Sequence, residues 1–114
     1  MSNTLQKQII HEARALITNP SHWCRGHQGR DALGRPRAPT TLDAVSHCAY
    51  GALLLSALAI SGDAATARQL ADLAAAQITG ITDPTTARTE IFKINDLHGH
   101  GAVLMMFDEA VAAD

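Results

Sequence analysis

Histidine and cysteine have the most chemistry to offer in this chain, and they are unevenly placed. Of six histidines and two cysteines, only His11 stands apart from three short segments: His22-Trp-Cys24-Arg-Gly-His27, His47-Cys48 and His98-Gly-His100. Zinc takes imidazole and thiolate in a tetrahedral array, so His22, Cys24, His27, His98 and His100 form one candidate ligand set. The spacing weighs against it, because the chain has no Cys-x-x-Cys and no His-x-x-x-His pair. A thiol can also act as a nucleophile. Cys48, with His98 or His100 as base and Asn95 or Asp96 as orienting group, would make a metal- or cysteine-dependent hydrolase. A helix N-terminus lowers a thiol pKa, but the pattern read below puts Cys48 some two turns into a helix, where the dipole effect has faded. Buried structural cysteines are the commoner case. The expectation is therefore no catalytic residue, no metal and no cofactor.

A third group suits recognition. Trp23, Arg25, Arg30, Asp31, Arg35 and Arg37 fall within one segment, and tryptophan and arginine are enriched where binding energy concentrates. Four of the nine cations lie between Arg25 and Arg37. Trp23 has a second use, as a plug that anchors its segment on the core.

These residues need a scaffold, and the apolar spacing makes it helical. Residues 3 to 18 read as a first helix, with Asn3 and Gln6 in capping-box positions and Leu5, Ile9, Ala13, Leu16 and Ile17 on one face. Asn19-Pro20 ends it. Residues 19 to 40 are a connection rich in Gly, Pro and Arg, and connections of that length in small domains are usually functional or disordered. Asp31-Ala-Leu-Gly34 has the composition of a tight turn. Thr40 or Thr41 opens a central helix over about 41–60, with Asp43 in its first turn. Apolar nearly all round, this helix should be buried nearly all round. Gly51 sits inside it at a cost of about 1 kcal/mol, which close approach by another backbone would justify. Asp63 caps a third helix over Ala64 to Thr79, which Gly80 stops. Asp83-Pro84 opens a fourth, reaching about Ile94. Asn95 to Gly99 reads as a turn, and a fifth helix runs from His100 to Ala112. No strand-like alternation of any length is present. The predicted fold is all-α, one domain over 1–114, with four to five helices around the central one and the 19–40 loop packed across one end.

Bulk properties narrow the function. The chain has 114 residues, a formal net charge of −2 and a pI near 6.3. It lacks the global basic field that nucleic acid binding calls for. Ala44 to Ile60 is too short and too polar for a membrane span, and the polar N-terminus is unlike a signal peptide. A cytoplasmic protein with reduced cysteines is expected. Its alanine-rich core is thin, which leaves room for a homo-oligomer.

Trp23-x-x-Gly26, Arg30-Asp31-x-x-Gly34-Arg35-Pro36, Cys48-x-x-Gly51-Ala52-Leu53 and Asn95-Asp96 occur in that order before an amphipathic last helix. In this the chain resembles a family of small bacterial proteins of unknown function, found in actinobacteria, proteobacteria and their mobile elements, over about residues 15 to 112. One departure is His98-Gly-His-Gly, where the resemblance leads one to expect Thr-x-x-Glu. The resemblance implies a shared architecture and no activity. It suggests a corner in which Asp31 and Asp96 accept from Arg30, from the Trp23 N–H or from helix-start amides, locking the loop to the helices. The expected function is non-catalytic binding of another protein, as an accessory or inhibitor factor of mobile-element type. The alternative is the metal- or cysteine-dependent hydrolase using Cys48 with His98 or His100 and Asn95 or Asp96.

Overall fold

The Ala49–Ser61 helix (α2) is the element on which the others pack. Its first six residues, Ala49 to Leu54, are all buried, as are Ser56 and Ala57. The computed structural model describes residues 4–112. Thr4–Leu16 (α1), Ala64–Thr79 (α3), Pro84–Lys93 (α4) and His100–Ala112 (α5) surround α2. The expectation that Asn3 caps the first helix lies outside the described residues.

Local chemistry accounts for most helix ends. Asp63 caps α3 by accepting from Thr66 N–H at 2.8 Å, and Gly80 stops it in the left-handed region at φ 74°. Asp83 caps α4 in the same way through Thr86. Buried alanines, among them Ala52, Ala57, Ala67 and Ala71, let α1, α2 and α3 approach closely. Tyr50, Leu53, Ile9, Ile91 and Phe107 fill the remaining core volume. Leu5, expected inward, is exposed.

The long connection differs from the predicted one. The central helix begins at Ala49 and not near 41. Residues 41–48 form turns and then a two-residue strand, Ser46–His47 (β2), antiparallel to Gly29–Arg30 (β1). The reason is competition for backbone donors. Val45 N–H donates to Arg30 O at 2.8 Å and Cys48 N–H to Gln28 O at 3.1 Å. The loop thus takes donors that an earlier helix start would direct elsewhere. Thr41, read as a cap, donates its hydroxyl back to Ala38 O, and Asp43 pairs with Arg37 at 2.9 Å. The ladder is two residues long, too short for alternation to reveal.

Asp31 to Gly34 does turn tightly: Gly34 N–H donates to Asp31 O and Asp31 N–H to Arg35 O, both at 2.9 Å. Arg30 bridges to Pro36 on one side and pairs with Ser46 on the other. Residues 29–47 therefore make one hydrogen-bonded lobe across the start of α2. The segment predicted as a turn at 95–99 is instead a π-helical turn, Ile94–His98, continuing α4.

Candidate functional site

The loop meets the helices at Asn95, which is fully buried. The π-helical turn carries it inward, under the loop. Its Oδ1 accepts from Trp23 Nε1–H at 2.7 Å and from Ala49 N–H at 2.9 Å. Its Nδ2 donates to Cys24 O at 3.1 Å and to Asp96 Oδ1 at 3.0 Å. Asp96 Oδ1 also accepts from Gly26 N–H at 3.0 Å. The first amides of a helix lack partners within it, so Asn95 caps α2 from another element and holds the Trp23 segment with the same oxygen. The predicted corner exists, but its acceptors are Asn95 and Asp96. Asp31 lies elsewhere, within the lobe.

Trp23 is half-buried against the core, with Arg25 over its ring at 5.2 Å and the His100 ring 5.5 Å away. Arg30 is also framework: it donates to Gly34 O at 2.8 Å and Arg25 O at 2.9 Å. Asp31 accepts from the backbones of Leu33 and Arg35 and from the Arg35 guanidinium, each at 2.9 Å, and it pairs with Arg37 at 3.1 Å. Burial opposes its charge, but the donors from Arg35 and Leu33 outweigh burial and hold the carboxyl below its ordinary range.

The candidate chemical residues sit in different local settings. Cys48 is the N-cap of α2, with its Sγ accepting from Gly51 N–H at 3.3 Å. The apolar pattern alone predicts it some two turns inside a helix. Despite this position, burial pushes its thiol up to about 12, outweighing the Gly51 amide, and the neighbouring Cys24 and Asp96 push in the same direction. Cys24 is also raised, by burial first, against the Ser46 and Arg30 hydrogen bonds. His100 Nε2 is bound to Ile17 O at 2.6 Å, and His98 is exposed. His22 and His27 are exposed too. Among the described residues, no three of His, Cys, Asp and Glu gather as a metal ion would need. Nor is any helix among them long and apolar enough to cross a membrane.

His47, not singled out as a site, is buried, with Nε2 2.9 Å from Pro39 O. Because a carbonyl only accepts, Nε2 carries the proton. Burial lowers the His47 pKa, the Pro39 carbonyl opposes this, and His22 adds to the lowering. Below about pH 6.5 the unfolded chain takes up a proton that the folded chain resists. Stability is thus complete above that pH and falls as the medium becomes more acid. A second loss is expected below about pH 4, as Asp31 and the other depressed carboxylates are protonated. Urea midpoints measured across this range should show two steps. His47→Gln, which keeps a donor for Pro39, should remove the first. An unchanged first step in that variant would assign it to another group.

The lobe also bears large aliphatic side chains at positions that no motif specifies. Leu42 is fully exposed at 104%, Leu33 is 77% exposed and Val45 48%. Their one sequence signal is isolation: single large aliphatics between turn residues, where nothing supplies a partner.

A family model described as a family of unknown function (DUF6197) matches residues 1–113. No curated protein and no solved structure matches the chain.

Proposed function

The chain belongs to this family of unknown function, and we propose that it is a non-catalytic protein that binds another protein through the 29–47 lobe. The observation that carries this reading is the exposure of Leu33, Leu42 and Val45 on a lobe fixed by backbone bonds and by the Asp31–Arg35–Arg37–Asp43 ion pairs. Exposed aliphatics on a mobile loop would lose ordering entropy on binding. On a prefolded lobe that cost is small. The segment from Arg25 to Asp43 holds four arginines against two aspartates in a chain of net charge −2. The fitting partner surface is apolar with an acidic rim. This supports an accessory or inhibitory role better than the hydrolase, since the Cys48 thiol stays protonated near neutral pH.

The recognition residues are thus Leu33, Leu42, Val45, Arg35 and Arg37, while Trp23, Arg30 and Asp31 hold the lobe in shape. The test is Leu33→Asp with Leu42→Asp. Substitutions at such exposed positions usually change stability by less than about 0.5 kcal/mol. Helicity and thermal midpoint should be unchanged, while affinity for a protein captured in fixed stoichiometry by the native chain drops at least about a hundredfold. Equal capture by the double variant would remove the lobe from the interface. Sedimentation of the purified chain shows whether the captured protein is a second copy.

A further inference from the structure

Cys24 and Cys48 are the only two cysteines of the chain, both buried and both free thiols. Neither has a role in the binding function above, yet they stand at the two ends of the recognition lobe. The backbone sets them side by side. Trp23 and His47 form a parallel bridge, and Cys24 N–H donates to His47 O at 3.0 Å. Each cysteine lies one residue beyond that pair, which puts the two at the next register position. Paired strands run about 4.8 Å apart, within the Cα separation of about 4.4–6.8 Å that a disulfide spans. Electrostatics agree with this placement: Cys24 opposes ionisation of Cys48, and Asp96 opposes ionisation of both.

We propose that Cys24 and Cys48 form a reversible oxidation site whose disulfide closes the base of the recognition lobe. Cys48 helps line a pocket of about 410 Å³ with Gly26, His27, Gln28, Phe92 and Asp96, large enough to admit a small peroxide. Cys24 does not line this pocket, and its thiol donates to His27 O at 3.3 Å. Cys48 is therefore the attacking thiol and Cys24 the resolving one. The Cys48 sulfur, losing its proton, attacks one oxygen of hydrogen peroxide. The O–O bond breaks, one water leaves and a sulfenic acid remains. Cys24 then attacks that sulfur, the S–O bond breaks, a second water leaves and the S–S bond forms. Two electrons pass from the two sulfurs to the two peroxide oxygens. The product carries no charge, so the burial that keeps both thiols protonated does not oppose the disulfide. It slows the attack instead, which proceeds through the thiolate.

The full chain treated with hydrogen peroxide under native conditions should lose two hydrogens in intact mass. A non-reducing peptide map should join Cys24 to Cys48, with no covalent dimer, and a dithiol should reverse the change. The rate should rise roughly tenfold per pH unit through the neutral range. The oxidised chain should melt several degrees higher, as expected for a closed loop of about this length. In Cys24→Ser, a sulfenic acid at Cys48 should be trapped by a dimedone probe. In Cys48→Ser, Cys24 should stay reduced. Covalent dimers, over-oxidation of Cys48 without the cross-link, or thiols untouched until denaturant is added would each overturn the proposal.

Discussion

Asn95→Ala is expected to cost about 3–5 kcal/mol of folding stability and to free the Trp23 segment from the helices. The fully buried side chain makes four hydrogen bonds: two accepted, from Trp23 and Ala49, and two donated, to Cys24 and Asp96. Truncation strands the indole N–H, the first amide of α2 and the Cys24 carbonyl in a site that water reaches poorly. Each buried unsatisfied group costs about 1–3 kcal/mol. Asn95→Asp keeps the accepting oxygen but turns the donating end into an acceptor facing Cys24 O and Asp96. It should be as damaging, although nearly isosteric. Urea denaturation gives the energies. Hydrogen exchange should show the Trp23 indole and the Ala49 amide losing protection together. A loss under about 1 kcal/mol, or separate exchange of those two protons, would show that the loop is held by other contacts.

Gly51→Ala should destabilise the protein by about 2 kcal/mol or more, although alanine is the better helix former by about 1 kcal/mol. A Cβ at this position would collide with the Gln28 carbonyl oxygen and press on its carbon at 3.0 Å and on Pro39 Cβ at 3.2 Å. Gln28 O also accepts from Cys48 N–H, so the loop cannot yield without losing the bond that sets the start of α2. Gly101 supplies the control. A Cβ there meets nothing within 4 Å, and Gly101→Ala should be neutral or stabilising by up to about 1 kcal/mol. Paired thermal melts distinguish the two sites, and a stabilised Gly51→Ala would mean that the loop does not lie on α2 in solution.

These two positions were legible to different degrees. A glycine inside an otherwise strong helix pattern has few explanations, and close approach by another backbone was the expected one. The sequence could not say which backbone. Asn95 stands out in the sequence as half of an Asn-Asp pair and as a candidate orienting group for Cys48, neither of which points to a cap of α2. Its four partners come from residues 23, 24, 49 and 96, and only the last is local. The sequence admits Trp23 both as anchor and as recognition residue. The bond to Asn95 makes it an anchor, and the exposed aliphatics of the lobe carry the surface role in the proposed function.

The all-α architecture and the bounds of α3 followed from local codes. Asp63, Gly80 and the alanine stripe between them act within a turn or two of their own positions, so residue order alone settles them. The start of α2 did not follow in this way. Residues 41–48 have a composition compatible with helix, and they are kept out of it by carbonyls at Gln28 and Arg30, more than a dozen residues earlier in the chain. That pairing exists only once the loop has folded back, which moves Cys48 from an assumed helix interior to the cap and sets it beside Cys24. Local periodicity carries no trace of a hydrogen bond whose acceptor is brought near by tertiary packing. The helices were therefore readable from the chain, while the lobe, the Asn95 hub and the cysteine pair were decided only by the folded molecule.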